Sequence, residues 1–370
     1  MIKSDHLMQL DQVDLYNNEE HYILVYNDKY FYTNNLLFET IKLLKDKKFI
    51  SEEFKKEHEL NDEEFTEIFI LINEKLASIF KERKPKRYVN LKVTLLDAAL
   101  VNMISTSLLF LFTKVKYILP LVIILNLVLV YELINKSAVN FTSGYIDSIV
   151  IYLSLFFILL FHELGHSTAL KKFNIEPQEV GFGFYLVFPV LFSNVTRAWL
   201  LRKRQRIVIN LSGIYFQLVA SSFLVIFYFL LGTNTVESII ISITKANFFV
   251  LVYSLFPFIR NDGYWALSDS LNIPDLHKRS VSYPIDLVKN KVSFNLFLAL
   301  YSIGQYTFLG FIIFKYVPSI PNNYSSFYFT LIDDGLINLI LSKPSILFHF
   351  VLSSVILYSI SKSLLAFLKK

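Results

Sequence analysis

The stretch FHELGHSTAL, residues 161–170, places two histidines and a glutamate at the end of a long apolar run. The run begins near residue 145 and is long enough for a membrane-spanning helix, which needs about 20 residues. An ionised carboxylate inside such a helix costs about 2.5 kcal/mol or more unless it is paired or functional. His162, Glu163 and His166 therefore indicate a functional site, and the alternative of polar groups that merely hold helices together is disfavoured.

The composition of the whole chain is that of a polytopic membrane protein. Of its 370 residues, 54% are hydrophobic and only 18% are charged, which is too apolar for an ordinary soluble protein. The net charge of +5 is too modest to indicate a nucleic-acid partner. Cysteine is absent from the sequence, so disulfides and thiolate metal ligands are excluded. Any metal must therefore use nitrogen and oxygen ligands.

About six apolar segments are long enough to cross the hydrocarbon core of a bilayer. They lie near residues 117–134, 145–168, 207–231, 236–258, 292–317 and 345–367. Segment 95–112 is interrupted by polar residues and predicts an interfacial helix. Segment 325–342, with Asp333 and Asp334 in its middle, predicts a loop or a partly inserted helix.

The basic residues favour this count of spans. The start of the chain lacks the basic-then-apolar order of a signal peptide, so we expect it to stay in the cytoplasm. With six spans, both termini are cytoplasmic and most loop lysines and arginines face the same side. A seventh span at 95–112 would place those basic loops outside. The sequence therefore predicts a multi-pass protein of the cell membrane with cytoplasmic N- and C-termini.

Composition divides the chain into four parts. Residues 1–88 are polar and predict a small cytoplasmic α+β domain, residues 89–116 a linker with the interfacial helix, residues 117–290 a membrane core that carries the site, and residues 291–370 the C-terminal transmembrane helices. The predicted fold class is thus an α-helical polytopic membrane protein with a small N-terminal α+β domain.

The N-terminal domain shows a strand-then-helix pattern. HYILVYN and KYFYTN are short β-rich runs that meet at Asn27 and Asp28, a candidate hairpin turn. NNLLFETIKLLKDK has helical spacing, and Ser51 and Asn61 (or Asp62) are candidate N-caps of two further helices. Two strands and three helices predict a winged-helix-like module. It resembles the domain that binds leader peptides in pathways of ribosomally made, modified peptides, which implies leader binding at a sheet edge; a generic winged helix is the alternative.

HELGH fits the pattern HExxH, in which histidines at i and i+4 share one helix face and can bind zinc together. The glutamate between them can then act as a general base. A catalytic zinc site needs a third protein ligand, and Asp262 in SLFPFIRNDGYWALSDSLNIPDL, from Ser254, is the best candidate. In the six-span topology the helix of HELGH and the fourth span both run inward. Asp262, expected at the end of that span, therefore lies at the depth of the histidines.

These two motifs resemble the site-2 protease family of intramembrane zinc metallopeptidases. The resemblance implies His162, His166 and Asp262 as Zn²⁺ ligands and Glu163 as the catalytic base. The wording of RNDGYWALSDSLNIPDL and VGFGFYLVFPVLFSNVTRAWLLRKRQR is closer to a branch of peptide zinc metalloproteases associated with maturation or export of small peptides. The resemblance covers roughly residues 90–290 well.

Two positions depart from the family pattern. Ser254 stands where the family usually has an asparagine three residues before the proline, so a substrate-positioning amide is missing or replaced. Asn261 stands where an apolar residue usually precedes the aspartate. Neither is a metal ligand, so both are candidates for altered substrate specificity or reduced activity.

The run VGFGFYLVFP, from Val180, is too short to span and β-prone. It predicts a re-entrant hairpin in which Gly181, Gly183 and Phe184 offer a free edge to an extended substrate; an interfacial aromatic loop is the alternative. Asn194 is a further candidate for orienting the substrate or the attacking water.

The expected function is a zinc endopeptidase whose N-terminal domain recognises a ribosomally made precursor. A transmembrane peptide is the other expected substrate, and a peptide transporter is a candidate partner. One alternative is cleavage of a membrane-anchored regulator in regulated intramembrane proteolysis. Another is a non-catalytic membrane protein that binds or helps to export a peptide, although such a protein would not need the glutamate of HELGH.

Overall fold

The described part of the chain is mostly helical and carries two small antiparallel sheets. The structure is a computed structural model, and it describes residues 9–27, 29–46, 61–80, 89–135, 145–185, 188–231 and 234–368. The chain divides into two compact units. We call Met1–Arg87 with Thr196–Arg206 the N-terminal unit, and Tyr88–Val195 with Ile207–Lys370 the membrane unit.

The N-terminal unit contains a three-stranded sheet and two helices among its described residues before position 88. They are β1 (Asp14–Asn17), β2 (Tyr22–Tyr26), β3 (Lys29–Thr33), α1 (Asn35–Lys45) and α2 (Asp62–Phe80), with short 3-10 helices at Leu10–Gln12 and Thr196–Leu200. The central strand β2 pairs antiparallel with both neighbours. Leu24, Phe38 and Ile72 bring the sheet and both helices into one apolar core.

Local sequence signals explain the ends of these elements. The β2–β3 hairpin turns at Asn27, as expected, and asparagine tolerates the positive φ of 49° found there. Asn34 caps α1 by accepting a hydrogen bond from the backbone of Leu37 at 2.9 Å. Asn61 and Glu64 form a reciprocal capping box at the start of α2. The cap predicted at Ser51 lies outside the described residues.

The strand β1 was missed at the sequence level, where only two strands were predicted. Its sequence, DLYN, is four residues long and mostly exposed, so it carries no apolar signal of its own. Pairing across the chain, with Leu15 opposite Leu24, places it in the sheet. The prediction of two strands is therefore wrong by one.

The membrane unit contains helices of very different lengths around a second small sheet. In chain order its elements are β4 (Val89–Leu96), α3 (Ala98–Leu108), α4 (Phe110–Thr113), α5 (Val115–Asn135), α6 (Tyr145–Lys172), β5 (Val180–Tyr185), β6 (Phe188–Ser193), α7 (Lys203–Leu231, beginning in the N-terminal unit), α8 (Asn234–Leu255), α9 (Asp262–Ser270), α10 (Leu276–Val288), α11 (Leu296–Tyr316), α12 (Ile320–Leu341) and α13 (Pro344–Leu368).

Five of these helices are long and apolar enough to cross a membrane, namely α5, α6, α7, α8 and α11. The helix α12 and the first part of α13 pass the same criteria together but bend by 100° at their break, so the described residues contain five or six candidate spans. Many large apolar side chains on the outer faces of these helices are exposed, among them Phe229 and Phe314. This pattern suits a multi-pass membrane protein.

The end of the chain forms two helices that meet at a sharp bend. Segment 325–342 is helical within α12, one of its two predicted forms, and residues 345–367 lie within the single helix α13, whose first part bends by 100° against α12. A kink follows the two aspartates within α12. Asp334 accepts a hydrogen bond from the Lys343 ammonium at 2.6 Å, and the next residue, Gly335, has a φ of +76°, so the helical path is interrupted there.

The segment 95–112, predicted as an interfacial helix, is helical over most of its length. The helices α3 and α4 are too short to span, as expected, but residues 89–96 form the strand β4. This strand pairs with β5, which in turn pairs with β6, so β5 lies in the middle of the sheet. The prediction of a free edge at Gly181 and Gly183 is therefore wrong: both edges of β5 are paired, and the outer strands are β4 and β6.

A close approach between strands explains one of the glycines in β5. A Cβ atom at Gly181 would lie 2.5 Å from the backbone oxygen of Val93 on β4 and 2.7 Å from the ring of Phe192 on β6. Any side chain at this position would push one neighbouring strand away. Gly181 thus serves the packing of the sheet.

Candidate metal centre

The helix α6 presents His162 and His166 on one face, one turn apart. Both side chains are buried, and their Nε2 atoms lie 3.2 Å from each other. The Asp262 carboxylate meets both rings, with Oδ2 at 3.0 Å from Nε2 of His162 and Oδ1 at 3.5 Å from Nε2 of His166. One ligand atom from each of the three residues lies within 4.8 Å of the others. The fold therefore brings the two histidines together with an aspartate that lies about 100 positions later in the sequence.

The break after α8 delivers the aspartate to this cluster. The helix α8 ends at Leu255. The prediction placed Asp262 at the end of that span, but Asp262 begins the separate helix α9. Gly263 allows the chain to fold back here, because a Cβ at this position would lie 2.1 Å from the backbone oxygen of Leu255.

Asn261 has a structural contact next to this aspartate. It is the N-cap of α9, and its side-chain oxygen accepts a hydrogen bond from the backbone N–H of Tyr264 at 3.3 Å. Its amide also donates to the backbone oxygen of Tyr253 near the end of α8. A polar residue at this position therefore holds the two helices around the break, and contact of Asn261 with a substrate stays a prediction.

The Asp262 carboxyl is suited to act as an anionic ligand. Burial would raise its pKa, but the imidazoles of His166 and His162 beside it outweigh this effect and hold the pKa below its usual range. The group is therefore ionised at neutral pH and offers carboxylate oxygens to a cation.

The helix α7 orients His166 from behind. The Nδ1 atom of His166 lies 2.7 Å from the backbone oxygen of Ile209. A carbonyl oxygen can only accept, so Nδ1 carries the proton and the lone pair of the neutral ring lies on Nε2, the atom that faces Asp262. His162 makes a matching contact from Nδ1 to the side-chain oxygen of Gln217, at 3.0 Å.

Gly213 lies between these two contacts and leaves room for an ion. A Cβ atom at Gly213 would lie 2.4 Å from Nε2 of His166 and 2.5 Å from Nε2 of His162. Any larger residue would fill the space into which both ring nitrogens point. Two imidazole nitrogens and one carboxylate oxygen form a donor set that suits zinc, with no thiolate required. The residues present therefore fit a small cation such as Zn²⁺.

The remaining predicted site residues are distributed around this cluster. Glu163 is half-buried on α6, about 60° around the helix axis from His166. Ser254 is buried at the end of α8. Asn194, just after β6, donates from its amide to the Glu179 carboxylate at 2.9 Å, so its observed contact is with the end of the hairpin. Roles of Ser254 and Asn194 in holding a substrate stay predictions, as do those of the β5 residues Gly181, Gly183 and Phe184.

Sequence reasoning missed the contribution of α7. Ile209, Gly213 and Gln217 follow one another at intervals of four residues, so they share a helix face that matches the interval between the two histidines. A glycine and a glutamine within the apolar run 207–231 are the signal that could have indicated this face. The backbone oxygen of Ile209 has no signal in the sequence.

The chain is similar in sequence to one curated bacterial protein. Over 160 residues it is 28% identical to a protein of Bacillus subtilis (strain 168) named "Putative peptide zinc metalloprotease protein YydH". The matched region covers 42% of this chain and 60% of the relative. Neither a family model nor a solved structure matches the chain. This distant similarity suggests a metal-dependent peptidase, in agreement with the cluster on α6 and α9.

Proposed function

We propose that the chain is a zinc-dependent endopeptidase that cleaves a ribosomally made precursor, or another membrane-associated peptide, near the cytoplasmic face of the membrane. The observation that carries this proposal is the convergence of His162, His166 and Asp262 at the end of an apolar helix that also carries Glu163. The name of the B. subtilis relative supports the same chemistry. A site-2-protease-like intramembrane mechanism is the finer form of the proposal.

Each residue has a defined part in such a reaction. The two histidines and Asp262 hold the zinc ion, which when bound would polarise the scissile carbonyl and lower the pKa of water towards about 7. Glu163 accepts a proton from the attacking water and returns it to the leaving amine as the peptide bond breaks. The buried wall formed by α6 and α7 excludes bulk water from one side of the reacting groups.

Recognition of the substrate belongs to the N-terminal unit in this proposal. Among the described residues, β1 pairs only with β2, so its outer edge can accept an extended leader peptide as an added strand. The rival substrates, a membrane-anchored regulator and a transmembrane peptide, would not need this edge. A protein that only binds or exports a peptide would not need Glu163.

The substitution Glu163→Gln tests the proposal in a reconstituted membrane. We expect a loss of about 10²–10⁴-fold in precursor cleavage with zinc content unchanged, because the carboxylate moves a proton and does not hold the metal. Glu132→Gln is the control: this carboxylate accepts a hydrogen bond from Tyr228 between α5 and α7, and its loss should leave the rate within a few-fold. A chain without residues 1–85 should keep zinc but lose precursor binding. Full cleavage by the Glu163 variant would contradict the proposed function.

A further inference from the structure

We propose that Gln217 and Asn247 are positioning residues for the metal centre, which fix the ring of His162 so that its Nε2 atom faces the metal. The inference rests on the zinc site proposed above and assigns two further residues to it. Neither residue contributes an atom to the cluster of ligands, so both act through His162.

The two residues form a buried chain of hydrogen bonds that ends on the histidine. Gln217, on α7, is fully buried, and Asn247, on α8, is 4% exposed. The Gln217 Nε2 atom lies 2.8 Å from Oδ1 and 3.4 Å from the backbone oxygen of Asn247. At the other end, the Gln217 Oε1 atom lies 3.0 Å from Nδ1 of His162.

The backbone oxygen of Asn247 sets the direction of this chain. A backbone carbonyl can only accept, so the amide nitrogen of Gln217 must face Asn247. The amide oxygen of Gln217 then faces His162 and can only accept as well, which requires the proton of the imidazole to lie on Nδ1. The lone pair of the neutral ring is left on Nε2, the atom that lies 3.0 Å from Asp262.

The two histidines are therefore held by different means. The acceptor for His166 is the backbone oxygen of Ile209, which is present whatever residue occupies that position. The acceptor for His162 is a side chain, which a substitution can remove. Metal-binding histidines depend on such outer partners, whose loss typically weakens metal binding by about 10–100-fold.

The surroundings make the contact difficult to replace with water. Gln217 is fully buried and Asn247 is 4% exposed, so bulk solvent does not reach the pair. A buried amide that loses its partner stays unsatisfied. The network thus holds a single arrangement of His162.

Metal affinity of the purified full chain tests the assignment. We expect Gln217→Leu to raise the dissociation constant for zinc about 10–100-fold, measured by competition with a chelator. Gln217→Glu keeps an acceptor for Nδ1 but loses the amide donor that faces Asn247, so its dissociation constant should lie between those of the wild type and Gln217→Leu. The matched control is Gln305→Leu: Gln305 is a similarly buried glutamine that contacts Ser280 and His277. The control should leave zinc affinity unchanged.

A double variant separates positioning from folding. Gln217→Leu with Asn247→Leu removes both partners of the amide pair, so no buried group between them is left without a partner and the fold should be retained. We expect this variant to melt near the wild-type temperature but to bind zinc as weakly as Gln217→Leu. The absorption spectrum of bound Co²⁺ should change in Gln217→Leu and in the double variant, and it should stay unchanged in Gln305→Leu.

The outcomes distinguish this inference from the proposed function. Suppose that the wild-type protein binds zinc and cleaves a peptide. If Gln217→Leu and the double variant then bind zinc as tightly as the wild type, the positioning role is wrong and the proposed function stands. If the wild-type protein binds no zinc, both are wrong.

Discussion

Gly213 lies where α7 approaches both histidine rings, and a single methyl group there should weaken metal binding. A Cβ atom at this position would lie 2.4–2.5 Å from the two Nε2 atoms. Alanine is the better helix former by about 1 kcal/mol, so Gly213→Ala should not weaken the helix itself. The substitution therefore spares the helix itself but forces the two rings or α7 to shift, so the stability of the fold must be followed beside zinc binding.

We expect Gly213→Ala to weaken zinc binding by about 10–100-fold, the range typical for the loss of a residue that supports a metal site. Equilibrium dialysis against zinc, with the melting temperature as a check on folding, measures this effect. Gly310→Ala on α11 is the matched control, since a Cβ there would meet nothing within 4 Å. Normal zinc binding by Gly213→Ala would show that the ion does not lie between the two rings.

For single residues, the sequence predicts those shared positions that follow from spacing along one helix. His162 and His166 are four residues apart in one helix, so their common face follows from the helical repeat alone. The contacts of Gly213 and Gln217 with these histidines join residues about 50 positions apart. They depend on how two helices pack, and no local pattern specifies that packing.

At the level of elements, the break between α8 and α9 decides where Asp262 lies. Asn261 caps α9 and also contacts the end of α8 through Tyr253. The loss of an N-cap side chain typically costs about 1 kcal/mol. Since the next residue, Asp262, is the proposed metal ligand, loss of the cap should also shift its carboxylate and weaken metal binding.

We expect Asn261→Ala to lower the free energy of unfolding by about 0.5–2 kcal/mol. The same variant should weaken zinc binding, whereas Asn261→Asp, which keeps the cap but loses the amide donor to Tyr253, should lose less of both stability and affinity. Thermal unfolding in detergent with and without zinc measures both effects. Equal behaviour of the Ala and Asp variants would contradict the capping role.

The elements that hydropathy could predict are the long apolar helices, because their length and composition are local properties. The strand β4 was missed because VNLKVTLL gains its place only by pairing with β5, some 90 residues later. The kink inside α12 was missed as well. Asp333 and Asp334 suggested a loop or a partly inserted helix, whereas the segment is helical on both sides of Gly335 and Lys343 donates to the Asp334 carboxylate.

At the scale of the whole molecule, the N-terminal unit includes the distant segment Thr196–Arg206. Glu20 accepts a hydrogen bond from the backbone of Lys203 at 3.0 Å, and Arg206 donates to the hydroxyl of Tyr32 at 3.3 Å. The Arg206 guanidinium also lies over the ring of Trp199. These contacts hold the segment before α7 against the sheet of the same unit.

Acid should weaken these contacts. The backbone hydrogen bond from Lys203 lowers the pKa of Glu20, and burial together with Arg206 lowers the pKa of His21. Both groups thus bind protons more readily in the unfolded chain, so the stability of the unit falls as pH decreases. The loss begins below about pH 6.5, the ordinary pKa of histidine, and continues below about 4.3, that of glutamate.

Fluorescence of Trp199 can follow this transition. The chain has two tryptophans, so Trp265→Phe leaves Trp199 as the reporter. We expect the emission to shift reversibly between about pH 7 and pH 4. In a His21→Gln background the part of the change nearest neutral pH should disappear. A signal that is constant over this range would contradict the titration of Glu20 and His21 against the segment Thr196–Arg206.

The most direct test of the whole account is the zinc content of the purified chain. We predict about one zinc ion per chain, as expected for a single site with three protein ligands. His166→Ala and Asp262→Ala should lose the ion, whereas Glu163→Gln should retain it while losing peptidase activity. Zinc retained in the first two variants at the wild-type level would contradict the proposed ligands and the function built on them.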